Sequence, residues 1–71
     1  MQIKIVQMLK TQYRPGARVK LIFMTAIDAP DPGTFGTVTH VDDLGNIHVD
    51  WVDGQSLPVI MDQDIVKLLD K

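Results

Sequence analysis

The sequence contains no cysteine and no glutamate. The first absence excludes a disulfide framework and any thiolate metal site, and it fits a reducing compartment. The second removes the terminal Glu of the calcium-loop pattern, so the nine acidic residues, all aspartate, do not form that motif. They fall where turns are expected, and Asp is a turn residue for backbone reasons. No apolar run approaches the roughly 20 residues of a membrane span. The N-terminal stretch has no signal-peptide pattern, because glutamines and lysines interrupt its apolar residues. The reading is a cytoplasmic protein with no membrane association. A basic excess is missing too: seven Lys and Arg stand against nine Asp, for a formal net charge of −2. Sequence-independent phosphate binding leaves a basic footprint, so this balance disfavours nucleic acid without excluding a local basic patch. No Ser-His-Asp or Cys-His signature occurs. Gly33-Thr34-Phe35-Gly36 lacks the Lys-Ser/Thr ending of a phosphate loop. The chain is therefore expected not to be an enzyme and to need no cofactor or metal.

What is present is ordinary globular composition, 45% hydrophobic and 23% charged, in 71 residues, enough for one domain. A domain this small buries only about 60% of the surface its unfolded chain exposes. Ile5, Leu9 and Tyr13 fall at helical spacing, and Pro15 disfavours helical geometry at Arg14, so a helix should end near Gln12 or Tyr13. The rival reading is a strand, from the alternation of Ile3 and Ile5. Arg18 to Phe23 alternates, with Val19, Leu21 and Phe23 on one face. A proline-rich loop follows. Val38 and Val41 lie three apart, which calls for a bulge near Thr39-His40. Ile47, Val49 and Trp51 alternate with His48 and Asp50 in the cleanest strand of the chain. Gly45 or Asn46, and Gly54, should turn the chain with positive φ. Ser56 to Ile60 reads as a short strand at an edge or bulge because of Pro58. Ile65 to Leu69 reads as either a last strand or a helical turn.

Five short strands need closure to avoid open edges, and a small five-stranded SH3-like barrel with an N-terminal α-helix is the economical answer. Residues 1–13 form the helix packing on the barrel and residues 14–71 the barrel. The expected interior is Val19, Leu21, Val38, Ile47, Val49, Trp51 and Leu57. The helix stripe Ile5-Leu9-Tyr13 is too short to stand alone. It should cap the barrel over Ile22 and part of the last strand, or pack on a second copy or a different protein, giving a monomer or weak homodimer.

The segments Tyr13-Arg14-Pro15-Gly16-Ala17-Arg18-Val19-Lys20-Leu21, Pro30-Asp31-Pro32-Gly33-Thr34-Phe35-Gly36-Thr37-Val38 and Val41-Asp42-Asp43-Leu44-Gly45-Asn46-Ile47-His48-Val49-Asp50-Trp51 carry a resemblance. The chain resembles a family of small bacterial and phage-encoded domains of unknown function. That resemblance implies an SH3-like barrel in a phage or mobile-element setting, with no known activity, catalytic residue or cofactor. Val52 departs from it by placing an apolar residue after Trp51.

The candidate binding surface comprises Tyr13, Arg14, Arg18, Lys20, Phe35, His40, His48 and Asp50. Arg14, Arg18 and Lys20, with Lys4 and Lys10, form either a local basic patch or solvated faces of two elements. His40, His48 and Asp50 could hold a divalent metal across a hairpin, but the plain reading is an exposed polar sheet face. Trp51 could floor an aromatic groove with Tyr13 and Phe35, although its alternation with Ile47 and Val49 favours the core. The expected function is a non-enzymatic interaction module with a protein partner. The alternative is a nucleic-acid-binding barrel using the basic N-terminal third.

Overall fold

The structure, a computed structural model, describes residues 3–69. Residues 1, 2, 70 and 71 of the expected domain bounds lie outside the described residues. Helix α1 (Ile3–Gln12) precedes five strands: β1 (Arg18–Phe23), β2 (Phe35–Val41), β3 (Ile47–Trp51), β4 (Ser56–Val59) and β5 (Ile65–Leu69). Ile65 to Leu69 is thus a strand. The strands form one antiparallel sheet in the order β4-β3-β2-β1-β5. β4 and β5 are its edges, so hydrogen bonding does not close it into a barrel. Among the described residues no helix is long and apolar enough to cross a membrane.

Two hairpins share one turn design. The Asp42 N–H donates to Asn46 O (3.0 Å) and the Gly45 N–H to Asp42 O (3.0 Å). The Trp51 N–H donates to Gln55 O (2.8 Å) and the Gly54 N–H to Trp51 O (2.9 Å). Gly45 and Gly54 take φ of 85° and 97°. Three-residue loops ending on a left-handed glycine match the right-handed twist of the strands they join. The positive φ falls on Gly45 and not on Asn46. Within the first hairpin, the β2–β3 register shifts between Val38 and His40, which is the bulge the Val38/Val41 spacing requires.

The core gathers Val19, Leu21, Val38, Val41, Ile47, Val49, Trp51 and Val59 from four strands, with Leu9 and Tyr13 from the helical end. Val66 and Leu68 of β5 pack against the same cluster, so the sheet bends around one interior. Leu57 is only half-buried, and Val59 takes the enclosed position expected for it. Hydrogen-bonded pairing at Trp51 and Gln55 sets Leu57 and Val59 on the same face, and Val59, further from the hairpin tip, is the deeper. Phe23 is 50% exposed rather than buried: the β1–β5 register shifts between Leu21 and Phe23 and breaks the alternation.

Helix α1 buries Leu9 and Tyr13 of the stripe its spacing suggests, with Val6 in place of Ile5. Val6, Leu9 and Tyr13 are buried, while Ile5 is 44% exposed. The i, i+3, i+7 set is as good a helical face as i, i+4, i+8, and contact with β2 selects between them. Ile22 is 44% exposed, so α1 does not cover it. The Tyr13 N–H closes the helix on Leu9 O at 2.7 Å before Pro15. Burial pushes the Tyr13 hydroxyl above its usual pKa.

Asp64 is the one buried acidic side chain among the described residues. Its carboxylate accepts from the Thr25 N–H (2.9 Å), the Thr25 hydroxyl (3.1 Å) and the Ile60 N–H (2.9 Å). These bonds tie the proline-rich loop to the β4–β5 connection and satisfy backbone donors that the loop would otherwise leave unpaired.

Candidate outward sheet face

Strand side chains alternate between faces, so the partners of the buried residues point outward. Cross-strand register lines them up. Leu69, Arg18, Thr37, Asp50 and Ser56 align across all five strands. In a neighbouring row Lys67 pairs with Lys20 and Lys20 with Phe35, whose carbonyl accepts the Val52 N–H at 3.0 Å. On the other side of the first row, His40 pairs with His48 and His48 with Pro58.

Seven of the eight candidate residues are thereby placed on the surface, six of them on this outward face. Arg18, His40 and Asp50 are exposed, Lys20 and His48 half-buried, and Phe35 is 42% exposed. Arg14 lies at the side, where it borders a shallow hollow with Gln12, Arg18, Leu68 and Leu69. Tyr13 is the exception. It is 6% exposed in the core, so it offers no contact surface, and Trp51 at 3% lies in the core as its alternation favours, so the alternative aromatic groove does not form.

The two imidazoles stack, their centroids 4.3 Å apart and planes 8° from parallel. The carboxylate that meets this pair, through His48 alone, is Asp42, not Asp50. Asp42 Oδ2 lies 2.9 Å from His48 Nε2, and Asp42 Oδ1 accepts from the Leu44 N–H (2.9 Å) and the Asn46 N–H (3.0 Å). The His48 imidazole above all, then the Asn46 amide, hold the Asp42 carboxyl down at about 2. Asp50 instead accepts from the Ser56 hydroxyl at 2.9 Å. Asp42 is thus first an Asx-type turn residue that orders the β2–β3 hairpin, with His48 locking its second oxygen. Among the described residues no group of three His, Cys, Asp or Glu side chains is placed to hold a metal ion.

Lys67 was not among the candidates, because IVKLL shows no register by itself. Pairing sets it directly opposite Lys20, and like charges directly opposite are destabilising. Arg18 follows on the same face of β1, where its Nε–H donates to Gly36 O at 3.3 Å. Among the described residues the ion pairs are Lys10 with Asp43 and His48 with Asp42, so none of the three outward cations is paired there. The Lys10–Asp43 pair is exposed and contributes little.

Residues 2–69 match a family described as a domain of unknown function, DUF4314. The chain belongs to this family. No curated protein matches it. For this DUF4314 chain the match spans α1 as well as all five strands, so helix and sheet belong to one family unit. The description attaches no chemistry to any residue, and the reading of the site therefore rests on the geometry above.

Proposed function

We propose that this chain is a small, non-enzymatic interaction module that binds a protein partner through its outward sheet face. Its scaffold is an SH3-like barrel left open between β4 and β5, a reading supported by the packing of both edge strands against one core. The observation that carries the functional reading is the row Lys67-Lys20-Phe35-Val52 with Arg18 beside it. It combines an exposed aromatic and an arginine, residue types enriched at protein interfaces, with two lysines that have no ion-pair partner among the described residues and give the row its charge. Asp50 shares the face, and the positive row ends at Phe35 and Val52, so the surface is mixed in character. A backbone-tracking nucleic-acid site would need a longer positive track. The resemblance to bacterial and phage-encoded domains supports a phage or mobile-element setting, and the absence of cysteine supports a cytoplasmic one.

The test is affinity capture from a host lysate with three baits: the natural chain, Lys20→Glu and Phe35→Ala, with circular dichroism confirming that all three fold. Proteins retained saturably by the natural chain, lost from both variants and unaffected by nuclease are the expected result. Identical protein sets on all three baits, or retention of nucleic acid alone, would overturn the reading.

A further inference from the structure

The two edges of the sheet are not equivalent. On β4, the Trp51–Gln55 bond sets the phase of pairing: Val49 with Leu57 and Ile47 with Val59 exchange hydrogen bonds, and His48 with Pro58 does not. The backbone of residue 58 therefore points outward, and that residue is proline. The edge lacks a donor at its centre, a standard protection against strand addition.

β5 keeps its backbone donors, and its one edge charge is Lys67. The Leu21 N–H donates to Thr34 O (2.8 Å) and Ala17 O accepts the Val38 N–H (2.8 Å), so alternate residues of β1 from Ala17 to Leu21 face β2. Arg18 and Lys20 consequently bond to Leu69 and Lys67 of β5. This leaves the N–H and C=O of Val66 and Leu68 directed to the free edge. Neither residue has a hydrogen-bond partner on that side among the described residues. Their side chains are half-buried at the margin of the core. Lys67 between them projects from the opposite, outward face beside Lys20.

We propose that the β5 edge accepts an extended segment of another protein as a sixth, antiparallel strand, and that this segment alternates apolar and acidic residues. The inference rests on the reading of the chain as a protein-binding module and names the partner's chemistry. Apolar residues of the incoming strand would lie opposite Val66 and Leu68 and extend the core over their exposed sides. The residue between them falls opposite Lys67, where an Asp or Glu offsets the Lys20–Lys67 repulsion. A second copy of this chain fits worse. The two-fold register that pairs Val66 of each copy with Leu68 of the other sets Lys67 against Lys67.

The probe is a capped nonapeptide of alternating valine and aspartate, titrated to about 1 mM into the isotopically labelled chain. That ceiling still detects a Kd of about 1 mM. Two control peptides carry lysine in place of aspartate or N-methyl groups on the valines. The expected result is slowed hydrogen exchange at the Val66 and Leu68 amides. Binding should weaken about tenfold for Lys67→Glu and for the lysine peptide, and be lost with the N-methylated peptide. Unchanged exchange at Val66 and Leu68, or equal binding of the N-methylated peptide, would overturn the proposal. If shifts map instead to Lys20 and Phe35 with no edge protection, the sixth strand is refuted while the outward face stands as the binding surface.

Discussion

Gly36 lies where the sheet has no room for a side chain. A β-carbon built on it would fall 2.5 Å from Val49 Cγ1 and 2.7 Å from Trp51 Cε3. Carbon atoms in contact ordinarily sit about 3.5–4.0 Å apart, so Gly36→Ala creates an overlap of about 1 Å with two neighbours. Both neighbours are enclosed, Val49 at 2% and Trp51 at 3% exposure, and neither can swing into solvent. Overpacking of this kind costs about 1–3 kcal/mol. Alanine also narrows the unfolded ensemble, which returns about 0.4–1 kcal/mol. Gly36 does not have positive φ, so no backbone strain is added. The expected net loss is about 1–2 kcal/mol, or a fall of roughly 5–15 °C in Tm for a domain of this size. Urea unfolding followed by both circular dichroism and Trp51 fluorescence measures it. The decisive comparison is a double-mutant cycle with Val49→Ala, which removes the atom nearest the new carbon. In that background Gly36→Ala should cost at least about 0.5 kcal/mol less than in the natural chain. A variant as stable as the natural chain, or strict additivity in the cycle, would refute the steric reasoning.

The helix register predicts a contrast: Leu9→Ala should cost about 2–4 kcal/mol and Ile5→Ala under about 1 kcal/mol, and equal thermal shifts would mean that α1 docks on another face. Asp64→Ala leaves the Thr25 and Ile60 N–H groups without their acceptor and should cost roughly 2–3 kcal/mol by urea unfolding, with loosened amide protection in the proline-rich loop; unchanged protection at Thr25 would count against it. The Asp42 carboxyl is held at about 2 in the folded chain against 3.8 ordinarily, so its contribution to stability is present above about pH 4 and is lost as pH falls toward 2. Unfolding measured from pH 5 to 2 should therefore fall more steeply for the natural chain than for Asp42→Asn, and parallel curves would show that the His48–Asp42 contact does not act in solution.

Local chemistry was legible wherever a residue's own conformational limits decide the outcome. Pro15 ended the helix at Gln12, glycine at 45 and 54 turned the hairpins, and the odd spacing of Val38 and Val41 announced a bulge. Alternation placed Ile47, Val49 and Trp51 in the core because one face of a half-buried strand has no other way to leave water. Arg18, Lys20, His48 and Asp50 likewise lie on the outward face as the polar partners of that alternation. What depends on a second element was not legible. Val6 rather than Ile5 joins Leu9 and Tyr13 on the inward face because β2 offers the surface there. Asp42 rather than Asp50 meets His48 because the turn folds the carboxylate back onto β3, six residues away in sequence. Lys67 stands against Lys20 only through a pairing between the first and last strands. Periodicity belongs to one strand or helix, whereas register, edge and docking belong to pairs of them. The sequence by itself determined the former through backbone geometry and the exclusion of apolar surface from water. Only the tertiary structure decided the latter, because a cross-strand contact exists only after the chain has brought distant segments together.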